Sequence, residues 1–235
     1  NCMPKSFRWI LVAAFSGFLF GFDTVVISGA NLPIKELWST NPFFHGFFIM
    51  SMALWGTVLG ALIGAFPTNK LGRKKTLSWV GFFFLISALG SALAMDAYTF
   101  SFFRFIGGIA VGVSSIAAPI YISEISTSKN RGSLGVLYQF SLVFGILIAF
   151  FSNYLLTGFQ GGSDWRWMLG IEALPALMYL LLTLSISDTP RWQILFQNND
   201  KAALKTLLEI YGDDQQAESV LNHIKLADVQ TASLE

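Results

Sequence analysis

The chain has 235 residues, of which 54% are hydrophobic and only 12% charged, about half the charged share of a typical soluble domain. Such a chain cannot cover its apolar surface in water, and a mean hydropathy of +0.58 points to an all-α membrane protein. A net charge of +1, a lone cysteine and two histidines argue against nucleic acid as a partner, against a disulfide framework and against a metal or cofactor site.

A membrane-spanning helix needs about 20 mostly apolar residues. Six stretches qualify, at roughly 9–31, 44–67, 76–96, 99–123, 133–157 and 167–187. The first is too long for the apolar region of a signal peptide, about 7–15 residues, and it contains Asp23. Lys5, Arg8, Lys70, Arg73, Lys74, Lys75, Lys129, Arg131 and Arg191 fall at one end of the spans, and only Lys35 and Arg166 at the other. The basic end is therefore expected in the cytoplasm, with both termini. After Pro190 the chain turns polar. Asn199 or Asp200 can start a helix that Gly212 ends, and a second amphipathic helix is expected over 214–227. The expected organisation is a transmembrane bundle over 1–189, a cytoplasmic helical segment over 190–228 and a disordered tail over 229–235.

Ionisable residues inside a membrane are costly and are functional candidates by default. Three stand out. Asp23 lies fifteen residues beyond Arg8, roughly 22 Å up a helix, in a hydrocarbon core about 30 Å thick. Arg104 and Glu172 each lie roughly 8–9 Å deep from the opposite boundary, so all three can meet in the outer half. One guanidinium cannot compensate two carboxylates, which leaves one acid free to bind a proton; a static ion-pair network that fixes helix packing is the alternative. Gln139 lies eight residues beyond Arg131, roughly 12 Å into the membrane. That is near the midplane, where transporter substrates bind. Its amide, with two donors and an acceptor, suits a hydroxyl-bearing ligand or, alternatively, a bond to a neighbouring helix. Gly56, Gly60 and Gly64, and Gly108 and Gly112, are spaced by four, which lets helix backbones approach closely.

Several motifs occur in order and with matching spacing. Span one carries Gly21-Phe22-Asp23-Thr24-Val25-Val26-Ile27-Ser28-Gly29, and the loop after span two carries Asn69-Lys70-Leu71-Gly72-Arg73-Lys74-Lys75. Span four contains Arg104-Phe105-Ile106-Gly107-Gly108 and ends Tyr121-Ile122-Ser123-Glu124-Ile125. Arg131-Gly132 precedes span five with its Gln139, and span six begins Trp165-Arg166-Trp167-Met168 and leads to Asp188-Thr189-Pro190-Arg191-Trp192. Together these resemble the N-terminal half of the sugar porters of the major facilitator superfamily. The chain departs from their pattern at Asn69 (an Asp there), at Ala65 (a Gly) and at Ser187-Asp188-Thr189, where those proteins read Pro-Glu-Ser. It also has six spans where family members have twelve.

The resemblance implies alternating-access transport of a monosaccharide. An acid at the Asp23 position resembles the mark of proton-coupled members, with Arg104 and Glu172 beside it. It implies sugar contact for Gln139 and a sugar-facing wall or a packing role for Phe20. For Arg73, Glu124, Arg131, Asp188 and Arg191 it implies a cytoplasmic charge network. A facilitative uniporter and a non-transporting half-size sugar-binding protein are the alternatives; nothing in the sequence suggests an enzyme. The expected partners are sugar, proton, the lipid of the cell membrane (the inner membrane in a bacterium) and a second six-helix half. That half is either a missing C-terminal one or a second copy, paired through spans one, two, four and five with the Gly56 ladder at the seam.

Overall fold

The computed structural model describes residues 5–127, 130–159 and 161–232, and every regular element among them is helical. Six helical stretches are long and apolar enough to cross a membrane: Lys5–Leu37, Pro42–Ile63, Arg73–Leu93, Ala97–Ile125, Arg131–Leu156 and Gly161–Leu184. The protein is a multi-pass membrane protein.

The six spans are not equivalent. The apolar windows of spans one and four are 72% and 61% buried within the bundle, whereas those of spans two and five are only 22% and 11% buried. Spans one and four form the centre. Span five lies along span one, span two along span four, and span three packs against spans four and six. Small residues make the two outer seams. A Cβ at Gly56 or Gly60 would overlap the Phe105 or Ile109 carbonyl of span four. One at Gly17 would lie 2.6 Å from the Tyr138 carbonyl of span five. The Gly56–Gly60–Gly64 ladder is thus consumed inside the chain, against Gly108 and Gly112, and is not free for a second copy. Spacing by four reports close approach but not the partner.

Two spans are interrupted. Span two opens with Pro42–Phe44, where Asn41 Oδ1 accepts from the Phe44 amide at 2.8 Å, and passes through a π turn over His45–Met50. In span six the helix breaks between Gly170 and Ala173, and Glu172 lies in the break. Pro175 explains it, because its nitrogen has no proton to give the Ile171 carbonyl; the Leu174 amide takes that carbonyl instead, at 3.2 Å.

Three further helices follow, Pro190–Leu195, Asp200–Tyr211 and Asp214–Ala232, and they pack at the basic end. Asn199 caps the second, its Oδ1 accepting from the Ala202 amide at 3.1 Å, and Gly212 ends it with a φ of +68°. Lys5 of span one meets Glu209 at 3.5 Å, and Trp192 Nε1 donates to the Asn69 carbonyl at 2.7 Å. The last helix runs to Ala232, into the stretch expected to be disordered, since no Gly or Pro interrupts it. Residues 233–235 lie outside the described residues.

Candidate functional site

Asp23, Arg104 and Glu172 come together where spans one, four and six meet. Arg104 Nη1 donates to Asp23 Oδ1, and Nη2 donates to the Asp23 carbonyl at 3.1 Å. The Glu172 carboxyl is buried beside them, in the electrostatic field of Asp23 and Arg104. All three are at most 2% exposed. Arg104 is placed two turns into span four, whose start Asp96 fixes by accepting from the Tyr98 and Thr99 amides at 2.9 Å each. The Thr99 hydroxyl and amide hold that exposed carboxyl below its ordinary pKa. Gly107 leaves the space in which Asp23 and Ser87 meet span four; a Cβ there would overlap Ser87 Oγ. The cluster has one cation for two acids, and two of its buried atoms, Arg104 Nε and Glu172 Oε1, have no hydrogen-bond partner among the described residues.

Gln139 is not drawn into this cluster. It is exposed on the open face of span five, beside the seam where Tyr138 meets Gly17. Phe20 is half-buried within a turn of the same level on span one, packed against the core. The two therefore flank one seam on the face that carries the least-covered spans.

The basic end holds a second cluster. Arg73 grips Glu124 with two parallel bonds, Nε to Oε2 at 3.0 Å and Nη2 to Oε1 at 2.9 Å, and Nη1 donates to the Thr68 carbonyl at 3.3 Å. Thr189 Oγ1 adds a bond of 2.5 Å to Glu124 Oε2. Asp188 Oδ1 accepts from the Lys74 amide at 2.8 Å, at the first turn of span three. Burial raises the Asp188 pKa, opposed by the Lys74 amide and by Lys74, Lys75 and Arg73. Gly72 makes this joint: its φ is +93°, and a Cβ would press on Trp192 and on Asp188 Oδ1. Arg131 Nε donates to the Ser123 carbonyl at 3.1 Å. Arg131 and Arg191 form no ion pair among the described residues, and line with Glu124, Tyr211 and His223 a cleft of about 640 Å³ beneath the bundle.

Sequence reading passed over three groups. Thr189 completes the Glu124 site. His45 bridges the far ends of the first two spans, Nε2 to Asn31 Oδ1 at 2.7 Å and Nδ1 to Thr40 Oγ1 at 3.0 Å. Ser87, Ser91, Tyr138 and Tyr179 bury hydroxyls that find no hydrogen-bond partner among the described residues. The spacing of Ser87 and Ser91 by four in an apolar span was a usable signal.

Residues 9–233 match the sequence profile of the family described as Sugar (and other) transporter. The chain belongs to this family. A glucose transport protein of Synechocystis sp. is 40% identical over 214 residues, covering 86% of this chain and 45% of that protein. The arabinose-proton symporter of Bacillus subtilis is 34% identical, covering 94% of this chain and 49% of that protein. Among solved structures, the proton:xylose symporter XylE bound to 6-bromo-6-deoxy-D-glucose superposes with a TM-score of 0.88 at 28% identity, over 95% of this chain and 53% of that one. The inward-open form of XylE from E. coli gives 0.85, over 94% of this chain and 56% of that one. The chain spans about half the length of the sugar-transporter relatives it matches.

Proposed function

We propose that this chain forms one six-helix half of a proton-coupled monosaccharide symporter that works by alternating access. The observation that carries this reading is the buried Asp23–Arg104 pair with Glu172 against it. Charge in a membrane interior is expensive, and an unbalanced cluster is more expensive still. A proton taken up by either acid neutralises the excess and lets the cluster cross between two arrangements. A similar chain named as an arabinose-proton symporter and a similar structure named as a proton:xylose symporter support the same reading.

The remaining roles follow. The basic end faces the cytoplasm, with both termini, in a cell membrane, which in a bacterium is the inner one. Residues 190–228 lie beneath the bundle on that side. Gln139 hydrogen-bonds the sugar and Phe20 lines its cavity. The open face of spans two and five meets a second six-helix half, either a complementary segment or a second copy. Arg73, Glu124, Asp188, Arg131 and Arg191 act as the cytoplasmic latch. Asp23→Asn decides between coupling and static pairing. In a transport-competent assembly it is expected to abolish uphill, pH-driven sugar uptake and to keep sugar exchange. Undiminished accumulation against a gradient would show that Asp23 only holds helices together.

A further inference from the structure

Of the seven buried side-chain atoms without a hydrogen-bond partner among the described residues, two belong to the acid cluster, Arg104 Nε and Glu172 Oε1, and two lie on span three beside it, Ser87 Oγ and Ser91 Oγ. Each belongs to a residue at most 2% exposed. Their placement is not scattered. Ser87 and Ser91 are one turn apart on the same face of span three. Span three runs antiparallel to span six in a register marked by Ser78 bonding Thr183 at 3.0 Å, by Gly81 facing Tyr179 and by Ala92 facing Gly170. That register sets Glu172 between the levels of Ser87 and Ser91. Ser87 also touches the space beside Asp23, across Gly107.

The far end explains why this side matters. Between spans one, four and six the approach to the cluster is covered by three packed rings: Trp38 and Phe100 at 5.7 Å, Trp38 and Trp165 at 5.8 Å, Phe100 and Trp165 at 6.1 Å. Beside span three the same boundary is polar. Arg166 Nη1 donates to the Ala92 carbonyl at 2.7 Å, one residue from Ser91. Its guanidinium lies 4.4 Å from the Trp165 ring, which fixes the charge at the rim. Buried polar groups without protein partners are joined by internal water in folded proteins. Such water would link the Arg166 rim, past Ser91 and Ser87, to Glu172 and Asp23 in one file of hydroxyls.

We propose that this file is the route by which protons from the far side reach the acid pair, separate from the sugar path on the open face of spans one and five. The inference rests on the proton-coupled reading above. A hydroxyl or water in the file accepts a proton on one side and releases one on the other, so nothing in the file is consumed. The proton ends on a carboxylate oxygen of Glu172 or Asp23. The other charged group facing the cluster is Arg104 on span four; Tyr179 lies two turns deeper on span six, toward Ser16 and Tyr138.

The test is infrared spectroscopy of the intact protein in lipid nanodiscs. The carboxyl band that Glu172→Gln or Asp23→Asn removes is followed after a switch into D₂O. In Ser87→Ala/Ser91→Ala the deuterium shift of that band is expected to slow roughly tenfold, the rate equivalent of losing about one hydrogen bond from the barrier. Its titration midpoint stays unchanged, as does sugar exchange by the transport-competent assembly in liposomes. Ser87→Thr/Ser91→Thr, which keeps both hydroxyls, restores the rate, and Ser78→Ala does not alter it. A double alanine variant that exchanges as fast as wild type overturns the route while leaving proton coupling intact. A threonine variant as slow as the alanine one also overturns it. No titrating carboxyl band in the wild-type protein overturns the coupling reading, and the route with it.

Discussion

The two buried charge clusters of this bundle solve the same problem in opposite ways. At the basic end one guanidinium meets one carboxylate in a two-bond fork, a threonine hydroxyl takes a further lone pair, and the third guanidinium nitrogen reaches the Thr68 carbonyl. Cation and anion balance, and no atom of either side chain is stranded. In the other cluster one guanidinium serves two acids, and Arg104 Nε and Glu172 Oε1 are left over. A balanced, saturated cluster suits a latch that is either closed or broken. An unbalanced one changes its charge state cheaply and suits a proton carrier. The surrounding helix differs too. Arg73 stands at the start of a continuous helix, whereas Glu172 lies in the break made by Pro175, where the backbone has slack to move.

The comparison predicts an order of damage. Arg104→Met strips the only cation from two buried acids and is expected to cost about 3–5 kcal/mol, read as a large fall in the thermal-unfolding midpoint in detergent. Adding Asp23→Asn should recover much of it. A single variant as stable as wild type would mean that neither acid is ionised in the resting protein. Arg73→Met leaves Glu124 still bonded to Thr189, so a smaller loss of about 1.5–3 kcal/mol is expected. If it equals the loss at Arg104, the two clusters do not differ in the way argued.

How much of this was legible in the sequence depends on contrast. The spans were legible because apolar runs stand out. The ion cluster was legible because charge is rare in a span, and helix rise alone put Asp23, Arg104 and Glu172 at one depth. Ser87, Ser91, Tyr138 and Tyr179 were not, since a hydroxyl barely disturbs an apolar pattern and its importance depends on what fails to face it. The glycine ladder was read correctly as a close-contact surface but assigned to the wrong neighbour, because spacing along one helix says nothing of which helix crosses it. The basic-end residues split likewise: Arg73 and Glu124 pair, while Arg131 and Arg191 line a cleft.

The mildest variant separates substrate contact from structure. Gln139 is exposed on span five, so Gln139→Ala should leave stability within about 0.5 kcal/mol. If the amide bonds the sugar, binding weakens by about 1–3 kcal/mol, measurable by calorimetry on the transport-competent assembly. Lost stability with unchanged affinity would make it helix glue.

The central claim is that the unbalanced cluster carries the coupling proton. It is tested most directly by recording proton movement into proteoliposomes when sugar is added with no imposed pH gradient. The account predicts sugar-triggered alkalinisation of the outside medium by the wild-type assembly and none by Asp23→Asn, which still exchanges sugar. Equal alkalinisation by both would place the proton elsewhere and contradict it.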